Sequence, residues 1–146
     1  MVKHLKVAIL VANGFEETEL IVSRDVLLRS NIIPTLFRVV TNNNSLEWDH
    51  LSATSALGLK VCCDELFRFE HNWHEYHPLI IPGGNKGVVN LSRNHLVLKV
   101  VNKFYQQQKV IGAICARSLV LRAANIIQIQ HLTSYPGVAT KFKDNP

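Results

Sequence analysis

Cysteine is scarce in these 146 residues: there are three, two of them adjacent, Cys62 and Cys63. That count excludes the even framework of a disulfide-stapled secreted domain, and no C-x-x-C pair offers zinc thiolates. A vicinal Cys62–Cys63 disulfide would be strained, so the two read as separate core and surface thiols. No apolar run approaches the roughly 18 residues of a membrane span. The start, MVKHLKVAILVANG, has a short apolar run, lacks a small-residue cleavage site and passes straight into FEETE; no signal peptide is expected, and a cytoplasmic location follows. Basic runs are missing too. Sixteen Lys and Arg against eleven Asp and Glu give a net charge of +5, but the cations are scattered and no base-stacking motif accompanies them, so no dedicated nucleic-acid binding is expected. Neither G-x-G-x-x-G nor a P-loop with its Lys-Ser/Thr pair occurs, which argues against dinucleotide and nucleoside-triphosphate chemistry. No cofactor is expected. Internal repeats, low-complexity tracts and Pro/Gly linkers are absent, and a single domain over residues 1–146 follows.

What is present is a core. At 47% apolar residues, a chain of this length can bury about 68–70% of its unfolded surface. Lys6 to Ala12 is a continuous apolar strand, and GFEETELIVSRDVLLRSN then carries apolar residues at Leu20, Ile21, Val26, Leu27 and Leu28, a helical period ending near Asn31. PTLFRVVT reads as the next strand, and NNNSLEWDHLSATSALGLKVCCDELF as a turn-rich passage with one or two short strands. HPLIIPGGNKG is a buried strand that breaks at Pro82-Gly83-Gly84. NLSRNHLVLKVVNKFYQQQ is one helix capped by Asn90 or Ser92. Val110 to Ile114 reads as a buried strand and Ala116 to Arg122 as a helix. Apolar strands alternating with amphipathic helices predict an α/β fold, a mostly parallel sheet covered by helices on both faces. Ligands in such folds bind beyond the carboxyl ends of the strands, where NGFEETE, PGGNKG and Cys115 all fall.

Cys115 stands at a strand-to-helix change, where a side chain is thrust above the sheet and free helix N–H groups favour a thiolate. A free cysteine is equally at home as a small buried hydrophobe, and topology alone leaves both readings open. Gly83 and Gly84 follow a strand directly; lacking Cβ, they let backbone N–H groups approach a reacting oxygen, or they simply end the strand. Glu16, Glu17 and Glu19 open the first helix, where carboxylates complement the dipole. Only one of them is expected to point across the sheet toward Cys115, the others facing water. A carboxylate beside a thiolate would hold its proton more tightly and could donate it to sulfur. HNWHEYH gathers His71, His74, Glu75 and His77, but it precedes a strand and reads as an exposed loop, so no metal site is assigned.

Five segments in this order, GFEETE, SRDVLLRSNI, LIIPGGNKGVVNLS, AICA and LTSYP, resemble the ThiJ/PfpI family, in the branch of the Parkinson-disease-associated protein deglycase and bacterial YajL-type proteins. The resemblance implies a flavodoxin-like three-layer sandwich, a homodimer with Arg29 near its contact, Cys115 as the reactive cysteine and Glu19 as the glutamate hydrogen-bonded to it. It further implies Gly83 and Gly84 on the oxyanion side, with Glu16, Ala116 and Tyr135 around the pocket. The activities it suggests are deglycase or glyoxalase-like handling of methylglyoxal and of glycated proteins, together with an oxidative-stress response. Alternatives are a redox-sensing chaperone for misfolded proteins and an inactive paralogue; an older family label is thiazole monophosphate biosynthesis.

Departures from the pattern carry their own expectations. Tyr135 stands where many members place a histidine, so a Cys-His dyad is not expected. Ala116 replaces the histidine of the protease-like branch, arguing against peptidase activity. Arg117 follows where small residues or proline are usual, and Leu57 occupies the place of an anion-binding arginine. The family pattern continues beyond YPG through a hairpin, a further strand and a closing helix. With the sequence ending at Asn145-Pro146, a C-terminally truncated domain missing the last strand and helix is the expectation.

Overall fold

The computed structural model describes residues 5–41, 50–115 and 118–126. Five strands form one sheet in the order β5-β2-β1-β6-β7, comprising β1 (Lys6–Ala12), β2 (Ile33–Val39), β5 (Glu65–Leu66), β6 (Tyr76–Ile81) and β7 (Ile111–Ala113). Every neighbouring pair is parallel. A parallel sheet needs both faces covered, and β1 shows how the sequence meets that demand. Its side chains alternate, Val7, Ile9 and Val11 packing on one side and Ala8, Leu10 and Ala12 on the other, all essentially without solvent contact.

The first face is covered by α1 (Glu17–Arg29), through Leu20, and by the antiparallel hairpin of β3 (Ser52–Thr54) and β4 (Lys60–Cys62), through Ala53 and the neighbouring Cys63. The second is covered by α2 (Asn85–Ser92), α3 (His95–Gln106) and α4 (Ser118–Ala123). Cys63 is buried and Cys62 exposed, the division into core and surface thiols read from the sequence. No helix among the described residues is long and apolar enough to cross a membrane.

Four expectations need correction. The single helix starting at Asn90 or Ser92 is two helices: α2 begins at Asn85, directly after Gly84, and breaks at Arg93. The second cap is Asn94, whose side chain accepts from the N–H groups of Leu96 (3.1 Å) and Val97 (3.2 Å); an Asn in extended backbone outcompetes helix continuation there. HNWHEYH is not simply an exposed loop. Trp73 sits fully buried in a 3-10 turn over Trp73–Glu75, in tilted ring contacts with Phe37, Phe67 and Tyr76 and edge-on contacts with His71 and Phe104. Lys109 fastens this turn to the sheet by donating to the carbonyls of Trp73, His74 and Tyr76 at 2.9, 3.3 and 2.9 Å; burial pushes its ammonium below the usual lysine range.

The strand around Val110–Ile114 is short and only partly buried, with Val110 59% and Ile114 45% exposed. Finally, the apolar period of α1 is not all core: Leu20 and, in part, Leu27 pack on the core, whereas Ile21, Val22, Val26 and Leu28 lie on the surface. The region expected to lack the last strand and helix follows Ile126 and lies outside the described residues.

Candidate active site

Because all five strands run the same way, the turns after β1, β6 and β7 emerge at one edge of the sheet. The chain leaves β1 toward β2 on one side, while β6 and β7 lie on the other. That reversal opens a crevice at the carboxyl ends, the usual ligand position in such sheets. NGFEETE, PGGNKG and Cys115 line it.

The two glycine-bearing turns are interlocked. Glu16 N–H donates to Gly83 O (2.9 Å) and Gly87 N–H to Gly14 O (3.1 Å). Gly84 has φ 98°, and a Cβ there would meet Gly14 O, the Glu16 nitrogen at 2.6 Å and the Phe15 carbonyl carbon at 2.8 Å. Only a residue without Cβ lets the turns approach so closely. Gly83 is crowded by side chains instead: a Cβ on it would stand 2.5 Å from the Cys115 Cβ and 2.5 Å from Glu19 Oε2. The carboxylate and the cysteine therefore flank one point. Cys115 itself has φ 62°, a left-handed conformation that costs a non-glycine residue about 1–2 kcal/mol, and it is partly exposed.

Each carboxylate of FEETE has a separate partner. Glu16 caps α1 by accepting from Glu19 N–H (2.8 Å), and Glu17 accepts from the hydroxyl of buried Ser55. Neither merely faces water, as the sequence suggested. Glu19 alone reaches across, accepting from Gly83 N–H at 2.6 Å. Burial raises its carboxyl above the usual range, the Gly83 bond opposes that rise, and the nearby Glu16 charge adds to it. This bond has a consequence for the oxyanion reading of the glycines. The Gly83 N–H is already engaged with Glu19, which leaves Gly84 as the glycine donor to consider.

Sequence reasoning missed the part played by the β3–β4 hairpin. Gly14 N–H donates to Thr54 O (2.8 Å), Thr54 N–H to Asn13 Oδ1 (3.1 Å) and Ala56 N–H to Phe15 O (2.8 Å). The Ser55 hydroxyl also accepts from the N–H groups of Leu57 and Leu59. Nothing in LSATSALGLK announces its bonds to Asn13, Gly14, Phe15 and Glu17, since those residues sit about forty positions away in sequence, beyond the reach of any local pattern. Arg29, expected near a dimer contact, is exposed at the end of α1 and paired with Asp25 at 2.7 Å. Ala116, Arg117 and Tyr135 lie outside the described residues.

Residues 5–145 match the DJ-1/PfpI family. The chain is 26% identical over 134 residues to the Parkinson disease protein 7 homolog of Danio rerio, an alignment covering 92% of the chain and 67% of that relative. It is 27% identical over 137 residues to Protein DJ-1 homolog B of Arabidopsis thaliana, covering 92% of the chain and 29% of that protein. Among solved structures, Drosophila melanogaster DJ-1beta superposes with a TM-score of 0.82 at 24% identity, covering 97% of this chain and 72% of that one; the likeness bears on the fold, which is flavodoxin-like.

Proposed function

Since the chain belongs to the DJ-1/PfpI family, we propose that it is a cysteine-dependent enzyme acting on small dicarbonyls such as methylglyoxal, or on their adducts with proteins, as a glyoxalase-like or deglycase activity. The observation that carries this reading is the convergence of Cys115 and Glu19 on Gly83. In the proposed reaction the Cys115 thiolate adds to the aldehyde carbon. A sulfur–carbon bond forms and the carbonyl electron pair moves onto oxygen, where the Gly84 N–H stabilises it. Glu19, whose burial makes it hold a proton more tightly than an ordinary carboxyl, delivers a proton to that oxygen and then shuttles a proton between the adjacent carbons. Water releases the hydroxy acid and returns the thiol. The same partly exposed sulfur could pass to sulfenate and sulfinate under peroxide, which supports a role in oxidative-stress response.

Glu19→Gln tests the proton shuttle. Methylglyoxal loss is expected to fall by about 10²-fold or more, with Cys115 still open to alkylation. The wild-type rate should decline as pH rises through the raised Glu19 value, because the proton it delivers is lost there; the Gln variant should lack that limb. Stability follows the same sign. A carboxyl that holds its proton more tightly folded than unfolded favours the fold fully below the unfolded value, and that contribution is lost as pH climbs through the folded one. Wild type should therefore lose stability over that window relative to Glu19→Gln, read by urea denaturation at several pH values. Equal pH profiles for the two proteins would count against the assignment.

We also propose a homodimer formed through α1. Val22 (54% exposed) and Val26 (55% exposed) lie one turn apart on α1, which also exposes Ile21 and Leu28, and exposed apolar side chains of this kind mark an interface. Sedimentation velocity should give a dimer for wild type, and Val22→Glu with Val26→Glu should weaken it by about 100-fold or more, through like charges in a desolvated contact. A wild-type monomer at high concentration would refute the proposal.

A further inference from the structure

Asn13–Gly14, at the opening of the β1–α1 turn, is the only Asn-Gly step in the sequence, and the proposed carbonyl chemistry makes no use of it. An Asn-Gly linkage is prone to imide closure, because glycine has no Cβ to keep its nitrogen from the asparagine side-chain carbon. In this fold both participants are tied to one residue of the β3–β4 hairpin. Gly14 N–H donates to Thr54 O (2.8 Å) and Asn13 Oδ1 accepts from Thr54 N–H (3.1 Å). For closure the Gly14 nitrogen has to give up its proton and turn onto the Asn13 Cγ, so both bonds to Thr54 must open first. The flanking atoms are fixed as well: Asn13 O accepts from Asn90 Nδ2 (3.0 Å), Gly14 O from Gly87 N–H (3.1 Å), and Ser55 ties the hairpin to Glu17. Asn13 is exposed, so water reaches it freely.

We infer that Asn13 is a latent deamidation site, kept closed by the docked β3–β4 hairpin, and that its conversion disables the Glu19–Cys115 site. The bond from Gly14 nitrogen to Asn13 Cγ forms as the bond from Cγ to Nδ2 breaks, and the departing amide nitrogen leaves as ammonia with the Gly14 proton. Water then opens the imide at either carbonyl, giving aspartate or isoaspartate. Isoaspartate lengthens the backbone by one methylene between β1 and Gly14. The turn has no slack for it: Gly14 is packed against Lys86, and Gly84 against Gly14 O. The bonds from Glu16 N–H to Gly83 O and from Gly83 N–H to Glu19 then lose their common register. The disabling consequence, though not the closure itself, rests on the proposal that Cys115 and Glu19 are the reacting pair.

The test ages the full chain at mildly alkaline pH in native buffer and in concentrated urea, with Ser55→Ala in native buffer and Asn13→Ser as the variant that cannot deamidate. Peptide mapping quantifies aspartate and isoaspartate at position 13. Cys115 alkylation and methylglyoxal loss are followed on the same samples, each against its own unaged protein. Native conversion is expected to be at least about tenfold slower than in urea, the protection given by an opening that costs ~1.4 kcal/mol. Ser55→Ala should fall between the two, and Cys115 alkylation should decline with isoaspartate in wild type but not in Asn13→Ser. Equal rates in native buffer and urea, or no acceleration in Ser55→Ala, would overturn the gate. Conversion with unchanged Cys115 alkylation would overturn the disabling step. Unaged protein that consumes no methylglyoxal would reject the carbonyl activity alone, leaving conversion and alkylation to decide this inference.

Discussion

Gly84→Ala is expected to lower the unfolding free energy by about 2–4 kcal/mol, with loss of the site geometry, through strain and overpacking at one atom. The backbone there has φ 98°, and the new methyl would press on Gly14 O, Glu16 N and the Phe15 carbonyl carbon. All three are backbone atoms, so no side chain can rotate away; either the two turns part or the strain stays. Gly58 provides the comparison. It shares φ 98°, but a Cβ there would meet nothing within 4 Å, so Gly58→Ala carries conformational strain alone, about 1–2 kcal/mol. Urea denaturation with an unchanged m-value would report both. If the two substitutions cost the same, the interlock of the turns contributes nothing beyond φ.

Cys115→Ser is expected to reduce methylglyoxal loss on the order of 10³-fold or more, the scale seen when a nucleophile is removed from a working site. The hydroxyl would keep the shape of the site and lose the ionisable sulfur. The other two cysteines offer no substitute. Burial pushes the Cys63 thiol up to about 12, leaving it protonated and inert. Cys62 is exposed on β4, with its sulfur 3.6 Å from the Cys63 carbonyl and no place in the crevice. Cys62→Ser should therefore retain turnover. Mass mapping after iodoacetamide should find Cys62 and Cys115 labelled in native protein and Cys63 only after unfolding. Turnover by Cys115→Ser at the wild-type rate would remove the basis of the proposed chemistry.

The sequence made the sheet's centre readable because Val7 to Ala12 of β1 is a continuous apolar run that only a doubly covered strand explains, and β6 ends in the apolar Leu79-Ile80-Ile81. It made the crevice readable because three unusual segments each ended a strand. It concealed the break between α2 and α3, where Asn90, Ser92 and Asn94 are all good caps and only packing selects Asn94. β5 is two residues long, too short for any periodicity to register. The exposed valines of α1 resemble core residues in composition, and only the placement of Leu20 shows which face is inside. Within the crevice, the residue types were legible but their bonds were not. Nothing about Gly83 says that its N–H serves Glu19, and nothing about Ser55 says that it holds Glu17, because those pairings are set by how distant turns meet in space.

The position of β1 has a bearing on how the chain reaches this state. The strand is made before both of its neighbours, β2, which follows soon after it, and β6, which emerges only after the hairpin and the Trp73 turn. Until β6 leaves the ribosome, one whole edge of the most apolar strand has no partner. Such non-local pairing slows folding and prolongs exposure of a sticky edge. The segment that builds the crevice is therefore also the one most dependent on shelter while the nascent polypeptide is still growing.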